Sequence, residues 1–156
     1  MTYTVAIIPA RGGSKGIPRK NLLNFAGKPL LEWSVQQANA SKQVDDIYVT
    51  TEDKEILKEA INLGVKVIDR PKILATDTVS TVPVLLHSIK DISKIRKIDT
   101  VVLLQPTSPL RTSEDIDLAI DEFRKQKVDC LFSASELDDY CIWSKELKGL
   151  ESVTYD

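Results

Sequence analysis

Cysteine and histidine are nearly absent from this 156-residue chain, which carries only Cys130, Cys141 and His87. Neither cysteine has a partner at ligand spacing, so a disulfide framework and a zinc site both lack their residues. We expect reduced thiols, with Cys130 acting as a small buried hydrophobe inside the apolar stretch Val128 to Ala134. His87 alone builds neither a histidine triad nor a histidine-rich metal site. No apolar run approaches the roughly 18 residues of a membrane span, and no secretion signal opens the chain, so we expect a cytoplasmic protein with no membrane partner. Lysine plus arginine number 21 against 23 aspartates and glutamates, a formal charge of -2. That balance lacks the broad basic footprint of a nucleic-acid binder. Internal repeats and low-complexity tracts are also missing, and the length suits one domain.

What is present is an alternation of short apolar runs and amphipathic segments. Val5 to Ile8, Asp46 to Thr50, Val65 to Ile68, Thr100 to Leu104 and Val128 to Ser135 read as strands, of which Thr100 to Leu104 is the clearest buried one. Helical spacing predicts helices over 30–40, from Glu52 or Asp53 to Leu63, over 82–92 and from Thr112 or Ser113 to about Lys125. Their expected apolar faces are Leu30, Leu31, Ser34, Val35 and Ala38, then Ile56, Leu57, Ala60, Ile61 and Leu63, then Leu85, Leu86 and Ile89, then Ile116, Ala119, Ile120 and Phe123. Gly64 is placed to end the second helix. Continuous apolar strands alternating with helices predict a doubly wound, mostly parallel α/β sandwich in three layers. Ligands of such sheets bind beyond the carboxyl ends of the strands.

One loop at such a strand end concentrates charge. Gly12, Gly13 and Gly16 are interleaved with Arg11, Lys15, Arg19 and Lys20. Glycines let successive N–H groups turn toward one point, and the cations supply the charge to hold polyphosphate there. The spacing fits neither the P-loop nor the dinucleotide fingerprint. Pro18 opposes an immediate helix, so the loop is long and irregular. A second loop, Asp69 to Thr81, has little periodicity and is dense in Arg, Pro, Thr, Asp and Ser. There Asp77 is expected to fix the loop by bonding to backbone.

The run Pro9-Ala10-Arg11-Gly12-Gly13-Ser14-Lys15-Gly16-Ile17-Pro18-Arg19-Lys20-Asn21 closely resembles the nucleotide-binding signature of the acylneuraminate (CMP-sialic acid) cytidylyltransferases. Arg70-Pro71 with Leu74 to Thr78, and Leu103 to Arg111, repeat the resemblance in family order as far as about Ser135. It implies a Rossmann-like fold of the nucleotide-diphospho-sugar transferase type. It also implies a reaction in which CTP and a nonulosonic (sialic-type) acid give a CMP-sugar and pyrophosphate. Such transfers rest on positioning and charge neutralisation. The resemblance assigns Arg11 and Lys20 to the α-phosphate and leaving group as catalytic residues. Ser14, Lys15 and the amides of Gly12 and Gly13 fall to the β and γ phosphates, and Ala10, Asn21, Arg70, Ser80 and Thr81 to the rest of the nucleotide. Gln105, Thr107 and Ser108 face the sugar, and Arg111 is either a cation for the sugar carboxylate or a structural residue.

Family members extend further, into a part that carries a Mg²⁺-binding Asp pair and an arm joining two subunits. Mg²⁺ is therefore the implied cofactor and a homodimer an implied assembly. The metal ligands in this chain are unassigned; Asp138 and Asp139 do not match the motif. We expect residues 1–135 to form the nucleotide-binding portion and 136–156 to open a truncated C-terminal segment. Cys141-Ile142-Trp143 departs from the sialic acid pattern, which leaves the acyl sugar open. The alternatives are a CTP-binding module without activity of its own and a nucleotidyltransferase for a different sugar. A dinucleotide oxidoreductase ranks last, for want of its glycine spacing and ribose-binding acid.

Overall fold

The computed structural model describes residues 2–14, 16–134, 143–146 and 149–152. Strand β1 (Thr4–Pro9) lies between β4 (Asp46–Thr51) and β6 (Thr100–Leu103), and β5 (Lys66–Asp69) flanks β4. All three pairings are parallel, with Ile7 opposite both Tyr48 and Leu103. Because side chains alternate across a strand, β1 feeds two cores. Ala6 and Ile8 pack among Leu31, Val35, Val49, Ile56, Ile116 and Ile120, which come from β4 and from helices α1 (Leu30–Ala40), α2 (Lys54–Asn62) and α4 (Ser113–Gln126). Val5 and Ile7 pack on the opposite face with Tyr3, Tyr48, Ile68 and Ile92, the last from α3 (Thr81–Ser93). Ile7 and Ile8 are fully buried, and each contributes about 2 kcal/mol by leaving water.

The expected doubly wound architecture is therefore present, and local chemistry accounts for its boundaries. Asp53 caps α2 by accepting from the Glu55 and Ile56 amides, and Gly64, at φ 74°, turns the chain out of it. Thr112 and Asp115 form a reciprocal capping box at the start of α4. A hairpin of β2 (Asn24–Phe25) and β3 (Lys28–Pro29) leads into α1. A second hairpin joins β7 (Trp143–Glu146) to β8 (Gly149–Ser152), in a stretch where the sequence showed no period.

Four expectations are corrected. Thr100 to Leu104 is not the best-buried strand: β6 stands at the sheet edge, where Val101 and Val102 are half-buried and Leu103 is exposed. No strand forms over residues 128–134, and Val128 and Phe132 in that segment are exposed, so apolar composition there does not build a ladder. Cys130, in that segment, is exposed and not buried. Two residues of the expected apolar faces point outward: Ile61, since α2 buries Ile56 and Ala60, and Leu86, since α3 buries Val84, Ser88 and Ile92. The expected division between residues 135 and 136 lies outside the described residues.

Candidate functional site

The strand order reverses between β1 and β6: the chain leaves β1 toward β4 and β5, then returns through α3 to β6. Connections diverge to opposite faces there, which opens a crevice at the carboxyl ends of the strands. A cleft occupies that place. It is lined by Pro9 and Arg11 after β1, Arg70 after β5, Ser80 and Thr81 at the start of α3, and Gln105 to Thr107 after β6, with Lys20 and Asn21 from the glycine loop.

Each wall has its own support. Asn21 is buried and donates from Nδ2 to the Arg11 carbonyl at 3.0 Å, which closes the glycine loop on itself. Arg70 is 4% exposed, donates from Nη2 to the Thr50 carbonyl at 2.5 Å and receives β4 support through its own amide, bonded to the Thr51 carbonyl at 2.9 Å. Burial lowers its guanidinium from the ordinary value, and the charge of Glu52 opposes that shift. On the far wall, both terminal nitrogens of Arg111 donate to the Gln105 carbonyl at 3.1 Å, and Nη2 also donates to Ser34 Oγ at 2.5 Å. Arg111 therefore holds the turn, while the Gln105 side chain remains exposed.

Two of the loop cations, Arg11 and Arg19, are paired with carboxylates. Arg11 meets Asp77 at 3.0 Å and donates to the Thr76 carbonyl at 3.1 Å. Arg19, in a left-handed conformation, meets Asp53 at 3.0 Å and Glu55 at 2.7 Å, away from the cleft. Burial pushes the Asp53 carboxyl up, but the Ile56 amide, Arg19 and the Glu55 amide together hold it below its usual range. Gly12 gives its N–H to Glu52 Oε1 at 2.8 Å, and a Cβ at Gly12 would collide with Asp53 Oδ2. Ser14 Oγ is shielded from solvent and has no hydrogen-bond partner among the described residues.

Of the residues expected at the site, the cleft gathers Arg11, Lys20, Asn21, Arg70, Ser80, Thr81, Gln105 and Thr107. Ala10, Gly12, Gly13, Ser14 and Ser108 are not among those that line it, and the Ala10 amide is bound to the Thr50 carbonyl at 3.1 Å. Lys15, Asp138, Asp139 and Cys141 lie outside the described residues. His87 faces Asp91 on its own helix, with Nε2 3.8 Å away, and is not part of the cleft lining. Among the described residues no group of three or more His, Cys, Asp and Glu side chains is arranged to hold a metal ion. The residues in hand therefore do not by themselves fit the implied Mg²⁺.

Sequence reasoning missed Asp77 as a partner of Arg11, and it missed Glu52 altogether. The available signal was position: Glu52 directly follows β4, and Asp77 lies in the loop that leads from β5 to α3.

Pseudaminic acid cytidylyltransferase of Campylobacter jejuni is 36% identical over 136 residues, covering 86% of this chain and 59% of that protein. N-acylneuraminate cytidylyltransferase of Escherichia coli O18:K1:H7 is 35% identical over 150 residues, covering 89% and 35%. A solved structure of CMP:2-keto-3-deoxy-manno-octonic acid synthetase complexed with CTP superposes with a TM-score of 0.68 at 25% identity, covering 81% of this chain and 49% of that one. The chain thus spans between about a third and three fifths of these relatives. A family model described as cytidylyltransferase matches residues 5–152, from β1 through β8 and so across every element that builds the cleft, and the chain belongs to that family.

Proposed function

We propose that the chain binds CTP in this cleft and serves the transfer of its cytidylyl group to a nonulosonic acid. The observation that carries this reading is the division of one cleft into a cationic wall, Arg11, Lys20 and Arg70, and a neutral hydrogen-bonding wall, Gln105 and Thr107. A nucleoside triphosphate needs the first and a polyhydroxylated acid the second. The three relatives described are named for activating, with CMP, a sugar acid of this class or one like it, which supports the choice of acceptor.

In the reaction, the anomeric hydroxyl oxygen of the sugar attacks the α-phosphorus of CTP. The bond from that phosphorus to the bridging oxygen breaks, pyrophosphate leaves, and the hydroxyl proton passes to solvent. Arg11 and Lys20 meet the charge that develops on the α-phosphate and the leaving oxygens. Ser14 Oγ, without a hydrogen-bond partner among the described residues, suits a phosphate oxygen. Arg70 and Asn21 hold the nucleoside end, with Ser80 and Thr81 as neighbouring hydroxyls, and Gln105 orients the sugar with its backbone held by Arg111. Mg²⁺ would add charge neutralisation at the phosphates.

A second reading, a CTP-holding module that works with residues supplied elsewhere, is favoured by the lack of a metal-ligand cluster among the described residues. Pyrophosphate release by the 156-residue chain with CTP, Mg²⁺ and a panel of nonulosonic acids separates the two. Release with one acid supports the transferase and names the acceptor; CTP binding by calorimetry without release supports the module; no CTP binding overturns both. A sedimentation run on the same sample tests the implied homodimer.

A further inference from the structure

Glu52 stands at the exit of β4 and belongs to none of the motifs that marked the site. Its Oε1 accepts the Gly12 N–H at 2.8 Å. Its Oε2 is shielded from solvent, has no hydrogen-bond partner among the described residues and lies 3.9 Å from Arg70 Nη1. A buried guanidinium needs a nearby opposite charge, and Glu52 supplies one to Arg70. The two residues before it complete the junction. The Thr50 carbonyl accepts from both the Ala10 amide and Arg70, and the Thr51 carbonyl accepts from the Arg70 amide. The glycine loop and the nucleoside wall are thus referred to one short segment, Thr50 to Glu52.

This matters because glycines leave the loop backbone with more conformational freedom than other residues would. Among the described residues its internal bonds include Ser14 N–H to the Gly12 carbonyl, Lys20 N–H to the Ile17 carbonyl and Asn21 Nδ2 to the Arg11 carbonyl. Glu52 is the tie from the Gly12 backbone to the sheet.

We propose that Glu52 is a positioning residue: its carboxylate fixes Gly12 and Arg70 relative to each other and so sets the span between the triphosphate cradle and the nucleoside wall. The role rests on the CTP-binding reading above. A ligand that bridges both walls gains from their fixed separation, whereas a ligand that touches one wall does not. The competing reading is that Glu52 occupies Gly12 as a stand-in for phosphate and is displaced on binding.

The test is calorimetric binding of CTP, cytidine and pyrophosphate to the wild-type chain, Glu52→Ala and Glu52→Gln. Glu52→Ala is expected to weaken CTP about tenfold, the scale of a lost hydrogen bond to a charged group. Cytidine and pyrophosphate should each change by less than about threefold. Glu52→Gln keeps a side-chain oxygen that accepts from Gly12 but loses the charge opposite Arg70, and should recover only part of the CTP affinity. Equal weakening of all three ligands would mean a merely structural role, and tighter CTP binding by Glu52→Ala would mean a stand-in; either overturns the proposal. Should Glu52→Ala not fold, Glu52→Asp, which keeps the charge and shortens the reach, is read the same way. Wild-type protein that binds no CTP overturns the functional reading, and this role with it. Wild-type binding with an unchanged Glu52→Ala overturns this role alone.

Discussion

Arg11 leaves the end of β1 and Asp77 precedes α3, yet their side chains meet at 3.0 Å within the lining of one cleft. The cation best placed for a phosphate is therefore already paired. Both side chains are about a third exposed, at 32% and 37%, so solvent screens the pair and its net worth is small, about 0.5 kcal/mol. Asp77→Asn frees the guanidinium and should tighten CTP about twofold, as read by calorimetry. Weaker binding would show instead that Asp77 holds part of the ligand.

On the proposed function, Arg11→Ala and Lys20→Ala each remove a cleft charge assigned to the reacting phosphate. Each should lower kcat/KM for CTP by about a hundredfold or more, the scale for losing one stabilising group in such a transition state. Lys20→Ala should leave the thermal midpoint within a degree or two, since the side chain lines a cleft and no core residue. Pyrophosphate release at varied CTP measures the first effect. A loss of activity that tracks a loss of fold would refute the assignment.

Gln105→Ala should chiefly raise the KM for the sugar and leave the KM for CTP unchanged. The backbone at Gln105 is held by Arg111 through its carbonyl, so truncating the side chain spares the turn. Arg111→Lys loses the two-pronged grip and should disturb sugar KM and stability together. Sugar kinetics that are indifferent to Gln105→Ala would count against the sugar wall.

The amino ends of the strands carry the clearest pH dependence of stability. Burial pushes the Asp46 carboxyl up, but hydrogen bonds from Lys66 Nζ at 2.7 Å and from the Tyr3 hydroxyl outweigh it, and the group is held below its ordinary value. A depressed carboxyl contributes stability that is present above its unfolded value of about 3.9 and is lost as pH falls through the folded one. Urea unfolding should therefore show Asp46→Asn less stable than wild type by about 1 kcal/mol at pH 7, with the gap closing toward pH 3. A gap that widens in acid would contradict the sign.

Local pattern made much of the fold legible. Helix α1 runs from Leu30 to Ala40 as its spacing predicts, Gly64 ends the segment it was placed to end, and Thr112 caps α4. These features depend on residues a few positions apart, and backbone sterics and capping act over that range. Edge and centre were not legible in the same way. Val101 to Leu103 read as a buried strand because apolar composition reports β-propensity; it does not report which neighbours a strand acquires.

The sequence by itself determined the four sheet strands and four helices, their order, and a glycine loop with four cations followed by a polar second loop. Composition and short-range spacing are sufficient for those. Only the tertiary structure decided that Arg11 pairs with Asp77, that Arg19 turns away to Asp53 and Glu55, and that Arg111 holds the Gln105 turn. It alone revealed Glu52, whose partner Gly12 lies 40 residues away. Those choices follow from which strand exits converge at the switch point, and charge pairing over a few ångströms depends on that convergence and not on spacing along the chain.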